Sequence, residues 1–201
     1  MNFNFEDSRE QVAALVPYYD ENGGNCTKIF TTSGEEFHDR RDIRWILKKI
    51  ARIYALDLQA LRHNTNQILG IKQGTPLFFS HNLVLVPLKL RKIIGKSDGA
   101  YGYVNICAVE KADDYPLKNN IFKSLIYLQG EVGLPCVFTR KTVEEQLSRG
   151  KIIKRLYGGT TGDSFLNSTV REGEATEHTI LLDLPKLEIS AWIIPKNKPN
   201  N

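Results

Sequence analysis

Cysteine, methionine and tryptophan are scarce in this chain: three Cys, one Met and two Trp among 201 residues. Cys26, Cys107 and Cys136 are odd in number, far apart and in no C-x-x-C pair. That argues against a disulfide framework or a cysteine-rich zinc site and for buried or inert thiols in a reducing compartment. Long apolar runs are missing too, none approaching the roughly 20 residues that a membrane-spanning helix needs. The start, M-N-F-N-F-E-D-S, has early acids and no apolar leader segment, so a soluble cytoplasmic protein is expected. There is no internal repeat and no low-complexity tract.

Catalytic signatures are equally thin. No G-x-S-x-G elbow occurs, and Cys136, Ser164 or Ser80 has no base that the sequence can place beside it. His38-Asp39 is a dipeptide found in metal-dependent phosphohydrolases, but His63, His81 and His178 are not paired with acids in that manner, so it reads as a helix cap beside a polar residue. G-G-T-T-G-D-S at 158–164 lacks the Gly-Lys-Ser/Thr that brings a lysine onto phosphates, and reads as a loop. Neither an enzyme nor a cofactor or metal is expected.

What the chain does have is segregated charge. From His38 to Lys96 there are twelve Lys and Arg against three Asp, a segment charge of +9. The other residues, with fifteen Lys and Arg against twenty acids, carry −5. A concentrated positive field suits a polyanion, of which nucleic acid is the commonest; a solvated basic face is the other reading.

Arg40 to Tyr54 begins this segment. Ile43, Ile46, Leu47, Ile50, Ile53 and Tyr54 recur at helical spacing, which puts Arg41, Arg44, Lys48 and Arg52 on the opposite side. Trp45 falls among those cations, where it packs on sugar-phosphate or covers Lys and Arg stems, the second being preferred. Asp39 is the expected N-cap.

Three apolar runs follow between Ile68 and Ile106, separated by Gly, Pro, Asn and Asp, and predict a small sheet. Around this centre, a short helix is expected over Glu6–Tyr19, a strand over Thr27–Thr32 and a second short helix over Leu56–Leu61. Lys111–Asn120 reads as a polar connection. A hairpin is expected from Ser124–Leu128 and Leu134–Phe138, then a helix over Thr142–Tyr157 weakened by Gly150. Two strands, Thr179–Leu184 and Leu187–Ile194, complete the chain. The fold class is α+β, with small, mostly antiparallel sheets and a basic amphipathic helix. Residues 1–157 would form the binding region and 158–201 a C-terminal β extension packed on the same domain.

The order of short motifs resembles the competence transcription factor family, ComK. Gly70-Ile71-Lys72 with Pro76-Leu77, Val86-Pro87, Gly102-Tyr103-Val104, Gln129-Gly130, Leu134-Pro135, and Gln146 with Arg149 follow in the family's sequence, over roughly Arg40 to Tyr157. Val86-Pro87-Leu88 and Tyr103 stand where the family usually has Phe-Pro-Thr and Trp. A slighter similarity, to LytTR-type DNA-binding domains, starts at Lys28. The ComK resemblance implies an activator of competence genes that binds A/T-rich double-stranded DNA largely through the minor groove. It also implies dimers that assemble to tetramers, and adaptor or protease regulators as partners. The expected contacts are Arg40, Arg41, Arg44, Lys48 and Arg52 on the helix, with Lys72, Lys89, Arg91, Lys92 and Lys96 from the strands and loop. The alternative is a protein–protein adaptor whose basic face meets an acidic partner; a third reading is a small-molecule enzyme.

Overall fold

Val12-Ala13-Ala14-Leu15-Val16, five apolar residues in succession, can be buried on both faces only in the middle of a layered fold. That is where the computed structural model, which describes residues 3–95, 98–116 and 121–158, places them. Strand β1 (Val12–Tyr19) replaces the helix expected over Glu6–Tyr19, of which only α1 (Phe5–Ser8) and one tight turn are helical. The helical spacing of Val12, Leu15 and Val16 misled because a strand covered on both faces shows no alternation.

The other elements are β2 (Asn25–Thr31), β3 (Glu36–Asp39), α2 (Ile43–Ile53), α3 (Leu58–Leu69), β4 (Leu77–Ser80), β5 (Leu83–Lys89), β6 (Tyr101–Asn105), β7 (Val109–Asp114), β8 (Ser124–Leu128), β9 (Val132–Cys136) and α4 (Arg140–Tyr157). Six strands form an antiparallel sheet in the order β3-β2-β1-β6-β5-β4, and three form a second, β7-β8-β9. The expected α+β class with small antiparallel sheets is what the chain adopts. Pro17 and Pro87 lie in strands, each paired with one neighbour only, Thr27 and Tyr103 respectively, so neither missing N–H breaks a ladder.

Alternation along β5 sorts the two cores. Leu83 and Leu85 join Leu15, Ile29 and Leu77 under Ile46, Leu47 and Ile50 of α2, with Phe5 alongside. Val84, Val86 and Leu88 face the other way, with Ala14 and Val104, onto Ile126, Leu128 and Leu134 of the second sheet and Val143 and Leu147 of α4. Gly150 lets α4 pass close over the large sheet: a Cβ there would lie 2.5 Å from Val86 Cγ2 and 2.9 Å from Ile106 Cγ2. Asn105 locks β1, β5 and β6 from within. Its Oδ1 accepts from the N–H groups of Val84 and Cys107, both at 3.2 Å, and its Nδ2 donates to the carbonyls of Val12 and Asn82 at 3.0 and 2.8 Å.

Several boundaries differ from expectation: the second helix, expected over Leu56–Leu61, runs over Leu58–Leu69, and the hairpin's second strand is Val132–Cys136 where Leu134–Phe138 was expected. Ile68 and Leu69 end helix α3, which Gly70 closes in the left-handed conformation at φ +61°, so the G-I-K segment is a loop and the strand starts at Leu77. Lys111–Asp114, read as a connection, belongs to β7, whose acids and lysine face solvent. β3 had no sequence signal beyond its position after a Gly turn. The first compact unit spans Met1–Thr161. The expected strands Thr179–Leu184 and Leu187–Ile194, and the 158–164 loop beyond Gly158, lie outside the described residues.

Candidate nucleic-acid interface

The apolar stripe of α2 fixes what its other side presents. With Ile43, Ile46, Leu47, Ile50 and Ala51 buried, Arg44, Lys48 and Arg52 are exposed. The helix begins at Asp42, not at Asp39: Asp42 Oδ1 accepts the main-chain N–H of Trp45 at 2.8 Å, while its Oδ2 receives Arg44 Nε at 3.0 Å. Asp39 closes β3 and holds Arg41, whose main-chain N–H and Nε donate to Asp39 Oδ1 at 2.9 and 2.7 Å. Burial raises the pKa of Asp39, and the side-chain and main-chain bonds and charge of Arg41 more than reverse this, with help from Lys49, leaving it lowered.

Trp45 takes the role preferred for it. The Arg41 guanidinium lies 3.6 Å from the centre of its ring, and the Lys49 ammonium 6.0 Å away. The ring is nevertheless 40 % exposed and separates two hollows. One, of about 240 Å³, is lined by Glu6, Lys48, Lys49, Arg52 and Ile53; the other, of about 360 Å³, by Asp42, Arg44, Lys48, Leu58 and Arg62. Lys48 borders both. A third hollow, of about 100 Å³, brings Arg44 together with Arg91, Asn25 and Gly99. Shared borders thus join Arg91, Arg44, Lys48, Arg62, Lys49 and Arg52 into one cationic surface.

What marks this surface is the crowding of its cations around shared hollows. Some cations elsewhere find carboxylates, Lys28 with Glu36 at 2.7 Å, Lys111 with Asp113 at 2.7 Å and Arg140 with Glu144 at 2.8 Å, while Lys123, Lys141, Lys151 and Arg155 make no ion pair among the described residues. Among the described residues Lys48, Lys49 and Arg52 make no ion pair. The Arg44–Asp42 pair has an arginine side chain 80 % exposed, and such pairs are worth only about 0–1 kcal/mol, so a phosphate can compete for that guanidinium.

The expected contact residues divide accordingly. Arg44, Lys48, Arg52 and Arg91 are brought together. Arg40 is exposed just before α2, and Arg41 is held by Asp39 and Trp45. Arg91 is anchored, donating from Nε to the Gly99 carbonyl at 2.8 Å and from Nη2 to Asn25 Oδ1 at 2.6 Å, with its guanidinium 4.1 Å from the Tyr19 ring centre. Lys92 beside it is exposed. Lys89 is half-buried, its ammonium 5.4 and 5.9 Å from the rings of Phe138 and Tyr101. Lys72 sits in the α3–β4 loop near Gly74, which meets Gln146 of α4, and borders none of the three hollows. Lys96 lies outside the described residues.

Two members were missed from sequence. Lys49 is partly covered, 5.4 Å from the Phe5 ring, and falls off the simple cationic wheel. Arg62 belongs to α3; its Nη2 donates to Tyr103 Oη at 3.5 Å, where burial pushes the tyrosine pKa up against the pull of that charge. Reading α2 and α3 as adjacent helices would have found it.

His38-Asp39 lies on strand β3 rather than on a helix. His38 contacts Glu36 Oε1 at 2.8 Å and Tyr18 Oη at 3.1 Å, and among the described residues no cluster of His, Cys, Asp and Glu could hold a metal ion. Cys26 and Cys136 are buried; Cys107 is half-buried and accepts from Lys154 Nζ at 3.0 Å. No helix among these residues is long and apolar enough to cross a membrane. The chain matches no protein-family model, no curated protein and no solved structure.

Proposed function

We propose that this chain is a cytoplasmic DNA-binding transcription regulator of ComK type. The observation that carries the reading is the cationic surface on the outer side of α2, where Lys48, Lys49 and Arg52 stand without ion-pair partners beside Arg44, Arg62 and Arg91. Unpaired Lys and Arg around shallow hollows suit phosphates, and Arg and Lys that follow groove width need few base-specific side chains. Arg44, Lys48, Arg52 and Arg91 are assigned to the phosphates and groove edge, with Lys92 beside Arg91. The motif order supports A/T-rich duplex as ligand, activation of competence-type genes, a homodimer or homotetramer on DNA, and control by adaptor or protease partners.

The test is a titration of labelled duplexes by fluorescence anisotropy over a salt series, A/T-rich against G/C-rich at equal length. The A/T duplex should bind more tightly at physiological salt. Replacing Lys48 or Arg52 by Ala should reduce the salt slope by about 0.9 per lost phosphate contact. A slope unchanged in Arg44, Lys48, Arg52 and Arg91 variants rejects this surface. Failure to bind any duplex rejects the regulator reading and leaves the basic face to an acidic protein partner, the adaptor alternative.

A further inference from the structure

Two consecutive isoleucines stand in water. Ile94 is 82 % exposed and Ile93 47 %, in the loop that leaves the sheet after Leu90 and returns at Tyr101. Single apolar residues at a surface are ordinary, but this pair is held there by a frame. The Ile94 N–H donates to Tyr19 Oη at 3.1 Å, and that hydroxyl donates to Asp98 Oδ2 at 2.6 Å. Asp98 also accepts from the Gly95 N–H at 2.7 Å and from Asn25 Nδ2 at 3.2 Å. Arg91 closes the base of the loop through Asn25, Gly99 and the Tyr19 ring. Burying one isoleucine is worth roughly 1.5–3 kcal/mol, so an unrestrained loop would fold the pair against the protein. This frame fixes the backbone and leaves Ile94 unpacked and Ile93 half-exposed behind it.

The surroundings of the tip are cationic. Lys92 precedes it, and the base of the loop shares a hollow with Arg44 at the start of α2. Two isoleucines are too small a patch for a stable protein interface, which takes about 800 Å² from each partner, and too few for the broad apolar face of an interfacial membrane anchor. Between two base pairs they are the right size. Minor-groove proteins insert Ile, Leu, Phe, Met or Pro between base pairs, partly unstacking and kinking the duplex while Lys and Arg hold the phosphates. A/T-rich sites offer the flexible T-A step where such unstacking is easiest.

We propose that Ile94, backed by Ile93, is a wedge that this chain inserts at a base step of its bound duplex. The proposal rests on the DNA-binding reading above, and the experiment separates the two. The full chain is bound to A/T-rich duplexes that carry 2-aminopurine at one adenine position each, in parallel with the salt titration. The wild type should raise 2-aminopurine fluorescence at one step, and Ile94→Leu should keep that rise. Ile94→Ser should cut the rise by about half or more and weaken binding about fivefold to tenfold. Its salt slope should stay unchanged, because no cation is removed. If wild type and Ile94→Ser bind duplex with the same 2-aminopurine signal, the wedge is overturned and DNA binding stands. If the wild type binds no duplex, both are overturned. Binding of the wild type but not Ile94→Ser to vesicles of phosphatidylcholine and phosphatidylglycerol, with no unstacking signal, would assign the tip to lipid instead.

Discussion

Gly34 and Gly130 meet back to back. Each has positive φ, +86° and +77°, and a Cβ on either would penetrate the backbone of the other far inside van der Waals contact. The β2–β3 turn of the large sheet therefore rests directly on the β8–β9 turn of the small one, main chain against main chain. Gly34→Ala and Gly130→Ala should each destabilise the fold by about 2–4 kcal/mol, combining left-handed strain with the need to part the two turns. Urea denaturation measures this. A loss below about 1 kcal/mol would show that the turns separate freely.

Asn105→Ala should cost about 3 kcal/mol or more. The amide satisfies four main-chain groups at the junction of β1, β5 and β6, and truncation would leave the Val84 N–H and Val12 carbonyl in a dry interior. Asn105→Asp should be no better, since a carboxylate cannot donate to the Val12 and Asn82 carbonyls. Denaturant midpoints of the two variants check this.

Gly150→Ala sets two effects against each other. Alanine gains about 1 kcal/mol of helix propensity, yet its methyl would lie 2.5 Å from Val86 Cγ2, on a branched side chain with little room to move. Overpacking of this kind costs about 1–3 kcal/mol, so the variant should be less stable by thermal denaturation. From sequence the glycine looked like a weakness in the helix; in the fold it is the point of closest approach. The difference lies in tertiary contact, which a window along the chain does not contain. The same limit explains β1, whose covered faces erased the alternation that identifies strands. By contrast α2 was legible because its two faces meet different media, and β5 and β6 because turn residues bound them.

The cationic surface was legible except for Lys49 and Arg62. Arg44, Lys48 and Arg52 follow from one helical wheel, whereas Arg91 joins them through the return of the β5–β6 loop to the start of α2. Lys89, two residues earlier, instead lies over the Phe138 and Tyr101 rings. Asp39→Asn should free Arg41 from its carboxylate and add a positive charge beside Trp45. Duplex affinity should then rise and the salt slope steepen by about 0.9. Lys72→Ala, away from the hollows, should change neither by more than a general charge effect.

Asp98 should make the β5–β6 loop acid-labile. The hydrogen bond from Tyr19, then those from Gly95 and Asn25, hold its pKa below the ordinary value of 3.8. Because the folded value is the lower one, the contribution is fully present above the unfolded pKa and is lost as pH falls through the folded one. Exchange of the Gly95 and Ile94 amides, compared between wild type and Asp98→Asn, should differ fully above about pH 4 and converge only as the pH falls through the lower folded pKa. Equal protection at neutral pH would show that the carboxylate does not brace the loop.

The carboxylate of Asp42 divides its oxygens between two tasks, one starting the helix at Trp45 and the other restraining Arg44. Truncation to Ala would unleash the arginine and loosen the first turn carrying it, whereas Asn would keep an oxygen for the Trp45 N–H and give up only the charge that holds Arg44. Stronger attraction for a polyanion at this position is therefore one uncharged cap away, without fraying the platform that carries it.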